Sequence, residues 1–191
     1  MLDESVYPDD FARRGLPPPE LWPVIDQDAL ARLNYPKRVN AAVELLDRAV
    51  AEGLGPRPCV RSPQITWTYA ELLEKANRIA GVLVNDMGLV PGNRVLLRSA
   101  NNPMLAACWF AVLKAGGIAV TTMPLLRSRE LAQICNKTEA QLALCDARLA
   151  AELEATLPLC PPLKQVRYFN SDSAALLEIL WIFQRPGSLR D

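Results

Sequence analysis

The chain contains no histidine among its 191 residues. Because a Ser-His-Asp triad, a Cys-His dyad and the usual histidine-containing zinc sites all need this residue, the sequence excludes those catalytic and metal centres. It also lacks an excess of either charge, with 21 basic and 21 acidic residues. The basic residues are scattered singly, so neither a nucleic acid nor an anionic membrane surface is expected as a partner.

The cysteines form no Cys-x-x-Cys pair, and their number is odd. An odd number fits a reducing compartment better than a disulfide framework, and three of the five stand in apolar segments. We therefore predict buried thiols, and neither a nucleophile nor a metal site, for Cys59, Cys108, Cys135, Cys145 and Cys160.

Long uninterrupted apolar runs are also missing. The most apolar stretch, residues 104–120, is broken by Lys114 and by Gly116-Gly117. A bilayer-spanning helix needs about 20 mainly apolar residues, so no membrane insertion is expected. The first residues, MLDESVYPDD, are acidic and have no apolar core, which predicts a cytoplasmic protein without a secretory signal.

A strand, a helix and a second strand follow one another directly in residues 95–124. Asn102 is placed to cap the helix, and Pro103 falls at its first position, where proline costs no hydrogen bond. Nearly every residue in 104–115 is apolar, which predicts a core helix without a solvated face, and Gly116-Gly117 allows the turn into the next strand. The pattern is typical of a βαβ unit.

The residues before this unit predict two helices and a hairpin. From Asn40 a helix is expected with an apolar face of Ala42, Val43, Leu45, Leu46, Ala49 and Val50. Two short strands, residues 59–61 and 65–67, should follow. Thr68-Tyr69-Ala70-Glu71 is then a capping box that begins an amphipathic helix.

The residues after the unit continue the alternation of helices and strands. Ser128 is expected to cap a helix to about Cys135, and residues 142–145 read as a buried strand. Asp146 should cap a helix to about residue 155, and Gln165–Phe169 reads as a last strand. The sequence therefore predicts an α/β fold, a mostly parallel sheet with helices on both faces.

No residue of the chain is assigned as catalytic, cofactor-binding or metal-binding. The loop of residues 88–94 has two glycines but precedes a strand and lacks a Lys-Ser/Thr ending, so it is interpreted as a turn. Ser99, Asn101 and Asn102 follow a strand, at the end where parallel sheets bind ligands, but capping accounts for Asn102 and a turn for Asn101. The carboxylates Glu71, Glu74, Asp146, Glu152 and Glu154 are expected on caps or exposed helix faces, which does not favour acid–base chemistry.

Several blocks of the sequence resemble one enzyme family. In order, these are PKRVNAAVELLDRAV, WTYAELLEKANRIAGVLV, VPGNRVLLRSANNPMLAACWFAVLKAGGIAV, TMPLL and LALCDARLAAEL. They are similar to the N-terminal region of AMP-forming acyl- and aryl-CoA ligases, the adenylate-forming superfamily, and most of all to benzoate and 2-aminobenzoate CoA ligases. The resemblance implies a partial N-terminal ligase domain, and for the whole family it implies ATP, Mg²⁺ and coenzyme A as cofactors.

The resemblance also implies that the family's nucleotide-binding and catalytic segments are missing from these residues. The family's phosphate loop, adenine-contacting segment, ribose-binding Asp and catalytic Lys have no counterpart here, so we expect an N-terminal ligase fragment, inactive alone and without a cofactor of its own. A truncated or frame-shifted ligase gene is the hypothesis for the divergent tail. A non-catalytic α/β binding or interaction module and a flavodoxin-like nucleotide binder remain as alternatives.

The chain is expected to divide into three parts. Residues 1–34 form a Pro-rich, irregular segment with a short helix, residues 35–170 the partial ligase domain, and residues 171–191 a divergent tail. Because the domain would be partial, an apolar face should be left uncovered. Self-association, or association with the remainder of a ligase through that face, is therefore expected.

Overall fold

The computed structural model describes residues 6–24, 26–34, 36 and 38–170, and the predicted tail of residues 171–191 lies outside them. The α-helices of the described residues are α1 (Phe11–Arg14), α2 (Gln27–Leu33), α3 (Tyr69–Gly81), α4 (Pro103–Lys114), α5 (Ser128–Thr138) and α6 (Ala150–Thr156). The strands are β1 (Pro58–Arg61), β2 (Thr66–Thr68), β3 (Arg94–Arg98), β4 (Ile118–Thr122), β5 (Leu142–Asp146) and β6 (Gln165–Phe169). Turns of π-helix cover Val43–Asp47, Val50–Leu54 and Val82–Asp86, and turns of 3₁₀-helix cover Pro19–Leu21, Ala147–Leu149 and Leu157–Leu159.

The last four strands form one parallel sheet in the order β4-β3-β5-β6. Helices connect them, since α4 lies between β3 and β4, α5 between β4 and β5, and α6 between β5 and β6. β1 and β2 form a separate antiparallel hairpin, within one residue of the predicted strands. The predicted α/β fold with a mainly parallel sheet is confirmed.

Helices cover both faces of this sheet, as predicted. β3 is buried along its whole length, and its side chains alternate between two apolar clusters. Val95 and Leu97 pack with side chains of α3 and α4, whereas Leu96 packs with side chains of α5 and α6. A shift of one residue would exchange these faces, so the alternation sets the register of the central strand.

Helix α4 begins and ends as the sequence predicts. The backbone N–H of Leu105 donates to Oδ1 of Asn102 at 3.0 Å, and Pro103 is the first helical residue. After the helix, Gly116 has a φ of +76°, a conformation that favours glycine. Its backbone therefore turns the chain directly into β4.

The prediction that α4 has no solvated face is wrong. One side is buried in the core through Ala107, Cys108, Ala111 and Val112. On the other side Leu105, Trp109 and Phe110 are only half-buried, because they line an open groove. The apolar composition of the helix thus exceeds what the described core covers.

The helical segment after Asn40 departs from its predicted packing. The chain is wound largely as π-helix, with residues Val43–Asp47 and Val50–Leu54 in this form. Of the predicted apolar face, Ala42 and Leu46 are buried. Val43 and Leu45 of the same face are exposed. A π-helical turn holds more residues than an α-helical turn, so side chains spaced for an α-helix do not share one face.

The two predicted helix starts on either side of the sheet differ in outcome. The capping box is confirmed, because the N–H of Glu71 donates to Thr68 Oγ1 at 3.2 Å and the N–H of Thr68 to Glu71 Oε2 at 2.7 Å. The predicted cap at Ser128 is wrong, since this residue is already helical. The N-cap residue is Arg127, whose N–H donates to Glu130 Oε2 at 2.8 Å, and the N–H of Ser128 donates to Glu152 Oε2 of α6 at 2.9 Å.

The N-terminal segment is fastened to the amino end of the sheet through Asp9. Its backbone N–H donates to the carbonyl oxygen of Pro91 at 3.2 Å. Its carboxylate accepts from Asn93 Nδ2 at 2.7 Å and forms an ion pair with Arg94, whose side chain is 5% exposed. Burial acts to raise the pKa of Asp9, but hydrogen bonds from Phe11, Arg94 and Asn93 outweigh it and the pKa lies below its ordinary value.

Replacing Asp9 by asparagine should lower the free energy of unfolding by about 2 kcal/mol, because the buried guanidinium of Arg94 loses its counter-ion. The matched control is Asp10→Asn, which removes an exposed pair with Arg14 and should cost less than about 0.5 kcal/mol. Urea unfolding measures both. The lowered pKa means that the difference between the native chain and Asp9→Asn is complete above about pH 4 and shrinks as the pH falls further. Equal losses for the two variants would contradict this role.

Candidate functional site

A cleft of about 590 Å³ opens near the carboxyl ends of β3 and β6. One wall is the β1–β2 hairpin with Trp67, and the other is the start of α4 with the loop before it, including Asn101 and Met104. Arg148 and Asn170, from the loops after β5 and β6, also line it. Ligand sites in parallel sheets occur at the carboxyl ends of the strands, so this cleft is the candidate site of the described residues.

Asp146, the last residue of β5, organises the cleft from beneath. Its carboxylate accepts hydrogen bonds from Asn102 at 3.1 Å, from Arg148 at 2.6 and 2.9 Å, and from Asn170 at 3.0 Å. These donors belong to the loops after three different strands, and Asp146 itself is 1% exposed. One buried carboxylate therefore holds together the three loops that shape the cleft.

The predicted role of Asp146 is too narrow. It does accept the backbone N–H of Arg148 at 3.1 Å, but this N–H belongs to a 3₁₀ turn, and α6 begins only at Ala150. The expectation that this carboxylate lies on a cap is confirmed for the 3₁₀ turn Ala147–Leu149, whereas its burial was not predicted. The side chain is buried because loops distant in the sequence converge on it.

The surroundings of Asp146 keep its carboxylate ionised. Burial acts to raise the pKa of this group, but hydrogen bonds from Arg148 and Asn170 outweigh it and the pKa lies below its ordinary value. The hydrogen bond to Asp146 in turn raises the pKa of Arg148. A carboxylate with a lowered pKa and both oxygens engaged is poorly suited to exchange protons with a substrate near neutral pH.

The predicted residues Ser99, Asn101 and Asn102 have different surroundings. Asn102 donates to Ser99 Oγ at 2.8 Å and to Asp146, while its Oδ1 caps α4. The capping interpretation of Asn102 is therefore confirmed. Asn101 is exposed and lines both the cleft and the neighbouring groove of α4. A ligand contact by any of these three residues stays a prediction.

Arg98 is a buried residue of this region that the sequence reading missed. It closes β3, is 1% exposed, and donates to the carbonyl oxygens of Pro124 at 3.3 Å and Leu126 at 2.9 Å. It also donates to Leu149 O at 3.3 Å. Burial lowers the pKa of Arg98 below its ordinary value. The sequence signal that could have identified Arg98 is a charged residue at the end of an apolar strand, as in VLLR, which ends in Arg98. The same signal precedes Asp146 in LALCD.

The cysteines are free thiols without features of a nucleophile. Four are buried and Cys59 is partly exposed, so the predicted burial is confirmed for all but one. Burial raises the pKa of Cys108, Cys135 and Cys145 to about 12. Because the thiolate is the reactive form, these three side chains are unreactive near neutral pH.

The residues around the cleft do not fit a magnesium–triphosphate group. Such a group needs several cations or N–H donors and a carboxylate for the metal, whereas Arg148 is engaged by Asp146. In the described ranges, no three His, Cys, Asp or Glu side chains come together in a group that could hold a metal ion.

The loop of residues 88–94 lies at the amino end of β3 and is confirmed as a turn. Of the helices described, none has the length and apolarity to cross a membrane.

The model of the AMP-binding enzyme family matches residues 47–184. The chain therefore belongs to this family, that of AMP-forming acyl- and aryl-CoA ligases and their relatives. Nonribosomal peptide synthetase 6 of Aspergillus fumigatus is 34% identical over 143 residues, which cover 69% of this chain and 11% of that protein. The 3-hydroxybenzoate/4-hydroxybenzoate CoA ligase of Thauera aromatica is 28% identical over 153 residues, which cover 76% of this chain and 28% of the ligase.

Solved structures of ligases share the fold. The anthranilate CoA ligase AuaEII in complex with anthranoyl-AMP superposes with a TM-score of 0.67 at 21% identity, over 72% of this chain and 26% of that chain. The N-terminal domain of FACL13 from Mycobacterium tuberculosis gives a TM-score of 0.63 at 23% identity, over 75% of this chain and 36% of that domain. The predicted fold, part of the N-terminal domain of an adenylate-forming ligase, is confirmed. The chain spans only 11% to 28% of the two curated relatives.

Proposed function

We propose that the chain is the N-terminal portion of an ATP-dependent, AMP-forming aryl-carboxylate CoA ligase of the benzoate or 2-aminobenzoate type, and that it does not activate an acid by itself. The observation that carries the proposal is how much of a solved ligase the chain matches. The sheet and its helices follow the fold of a ligase, but over about a quarter of that ligase's length. We further propose a cytoplasmic location, which the free cysteines support, and a role in the degradation of aromatic acids, which rests on the likeness to aryl-CoA ligases alone.

An aromatic acid as the substrate of the whole enzyme is supported by the relatives. One is named for 3- and 4-hydroxybenzoate, and one solved ligase holds anthranoyl-AMP. The sequence blocks VPGNRVLL, ANNPM, ACWFAV and ALCDARLA resemble this group more narrowly than the common family blocks. None of these observations identifies a residue that contacts the acid, so the acid is proposed by likeness alone.

The inactivity of the chain alone is supported by its chemistry. Catalysis of adenylation depends on positioning the phosphates and on neutralising their charge. The cleft offers Arg148, but this guanidinium is bound to Asp146. The side-chain oxygens of Asp146 are likewise engaged by the protein. The described residues thus provide a ligase scaffold without the groups that would hold a nucleotide triphosphate.

Calorimetric titration of the purified chain with ATP and Mg²⁺ should show no saturable heat. The proposed fragment lacks a phosphate site, whereas a flavodoxin-like nucleotide binder requires one. A complete ligase such as the Thauera aromatica relative serves as the positive control. Saturable binding of ATP with one site per chain would contradict the proposal.

A small-molecule binding module is the second candidate, and the cleft is the observation that favours it. Its volume of about 590 Å³ suits a small ligand, and it combines the ring of Trp67 with the polar side chains of Asn101 and Asn170. The same calorimetric series, with 2-aminobenzoate as the probe, separates the candidates. Binding that shifts the NMR signals of the Asn101 and Asn170 amides, but not of the distant Asn136 amide, would favour the binding module.

A further inference from the structure

The cleft presents side-chain amides whose hydrogen-bonding groups the protein leaves unused. Gln64 of the hairpin turn and Asn101 before α4 are exposed, and their side chains have no hydrogen-bond partner among the described residues. Asn170 donates from Nδ2 to Asp146 at 3.0 Å, and its Oδ1 accepts no hydrogen bond from the part of the chain that the structure describes. A side-chain amide has two N–H donors and a carbonyl acceptor. Three segments around the cleft therefore offer acceptors to a ligand, and two of them also offer donors.

The charges at the cleft balance one another. Among the described residues that line it, Arg148 alone is charged, and its Nε and Nη2 donate to Asp146 at 2.9 and 2.6 Å. Asp146 lies beneath the cleft, and its lowered pKa keeps it ionised at neutral pH. A carboxylate that entered the cleft would lose hydration without meeting an unpaired cation. The balance of charge therefore favours a neutral ligand.

Apolar side chains on two walls of the cleft suit an aromatic ring. Ile65 and Trp67 belong to the hairpin wall, and Met104 belongs to the first turn of α4. The Lys75 ammonium group lies 4.8 Å from the centre of the Trp67 ring, but Lys75 does not line the cleft. Indole rings and thioethers both make favourable contacts with a planar ring. The cleft thus combines an apolar part for a ring with side-chain amides for its polar substituents.

We propose that the cleft binds neutral aromatic carboxamides in preference to aromatic carboxylates. This inference rests on the proposed binding module, since it names the ligand class of the same cleft. The ring of the ligand packs between Trp67 and Met104, and its carboxamide both donates to and accepts from the side-chain amides. An ionised carboxylate only accepts hydrogen bonds, so it cannot use the acceptor oxygens of Gln64, Asn101 and Asn170.

Calorimetric titration of the full chain with 2-aminobenzamide and with 2-aminobenzoate tests this preference. The two probes have nearly the same size and shape, but only the second is charged near neutral pH. We expect the amide to bind at least about tenfold more tightly than the acid. Asn101→Ala should weaken binding of the amide about threefold to tenfold, because one hydrogen bond is lost. Asn85→Ala is the matched control, since Asn85 is an exposed amide outside the cleft, and it should leave both affinities unchanged.

Asn101→Lys tests the role of charge from the opposite direction. The substitution adds an unpaired cation at an exposed position of the cleft, so circular dichroism should show an unchanged fold. The affinity for 2-aminobenzoate should rise about threefold to tenfold, because the carboxylate then meets a positive charge. The affinity for 2-aminobenzamide should not rise.

Three results would overturn the preference for carboxamides. Equal or tighter binding of 2-aminobenzoate by the native chain would refute the ligand class while leaving a binding module in place. Binding of neither probe would refute the binding module together with its ligand class. Binding of the amide that neither Asn101→Ala nor Asn101→Lys alters would place the ligand outside the cleft.

Discussion

Replacement of Asp146 by alanine is expected to lower the free energy of unfolding by about 3 kcal/mol. The carboxylate is 1% exposed and accepts hydrogen bonds from Asn102, Arg148 and Asn170. Each hydrogen bond to a charged group contributes about 1.5 to 3 kcal/mol, and water can replace part of this at the exposed Arg148 and Asn170. Urea unfolding followed by circular dichroism measures the loss.

Two further variants separate the hydrogen-bond network from a general effect of losing an acidic residue. Asp146→Asn keeps the shape but removes the charge, and we expect a loss about half as large. Asp86→Ala removes an exposed carboxylate and should change stability by less than about 0.5 kcal/mol. Similar stabilities of Asp146→Ala and Asp86→Ala would contradict the assignment of Asp146 as the residue that joins three loops.

The pH dependence of these variants has a defined sign. Because the pKa of Asp146 in the folded chain is below its ordinary value, its contribution is complete above about pH 4 and is lost as the pH falls through the folded-state pKa. The stability difference between the native chain and Asp146→Asn should therefore shrink in acid. A difference that grows below pH 4 would show that the carboxylate is not held in its ionised form.

Local features of the fold could be predicted from the sequence because their causes are local. The cap at Asn102 and the capping box of Thr68 and Glu71 each involve residues three positions apart. The buried strands β3 and β5 appear in the sequence as short apolar runs, and both are buried along their whole length. Such local signals are sufficient to predict these two helix starts, the strands and the parallel sheet.

The features that the sequence did not predict depend on contacts between distant residues. Asp146 meets Asn102 across 44 positions, and Asp9 meets Arg94 across 85. Arg98 binds carbonyl oxygens of loops that only the completed sheet brings near it. The acceptor for the Ser128 N–H is likewise distant, since it is Glu152 of another helix. Of the candidate cleft, the sequence therefore indicated only that polar residues follow one of the strands.

Loss of adenylation is the second large effect expected of this chain. The resemblance implies that a ligase needs a phosphate loop, a ribose-binding Asp and a catalytic Lys, for which these 191 residues have no counterpart. Removal of even one group that stabilises a charged transition state commonly lowers a rate by about a hundredfold to a thousandfold. Activity of the chain alone should therefore lie at least about a thousandfold below that of a complete ligase.

Acid-dependent exchange of pyrophosphate with ATP tests the central claim most directly. The purified 191-residue chain is incubated with ATP, Mg²⁺ and labelled pyrophosphate, with benzoate, with 2-aminobenzoate and without acid, beside a complete aryl-CoA ligase as the positive control. We predict that neither acid raises exchange by the chain above the level without acid. Robust exchange that depends on the acid would contradict the account, because it would show a complete adenylation site within these residues.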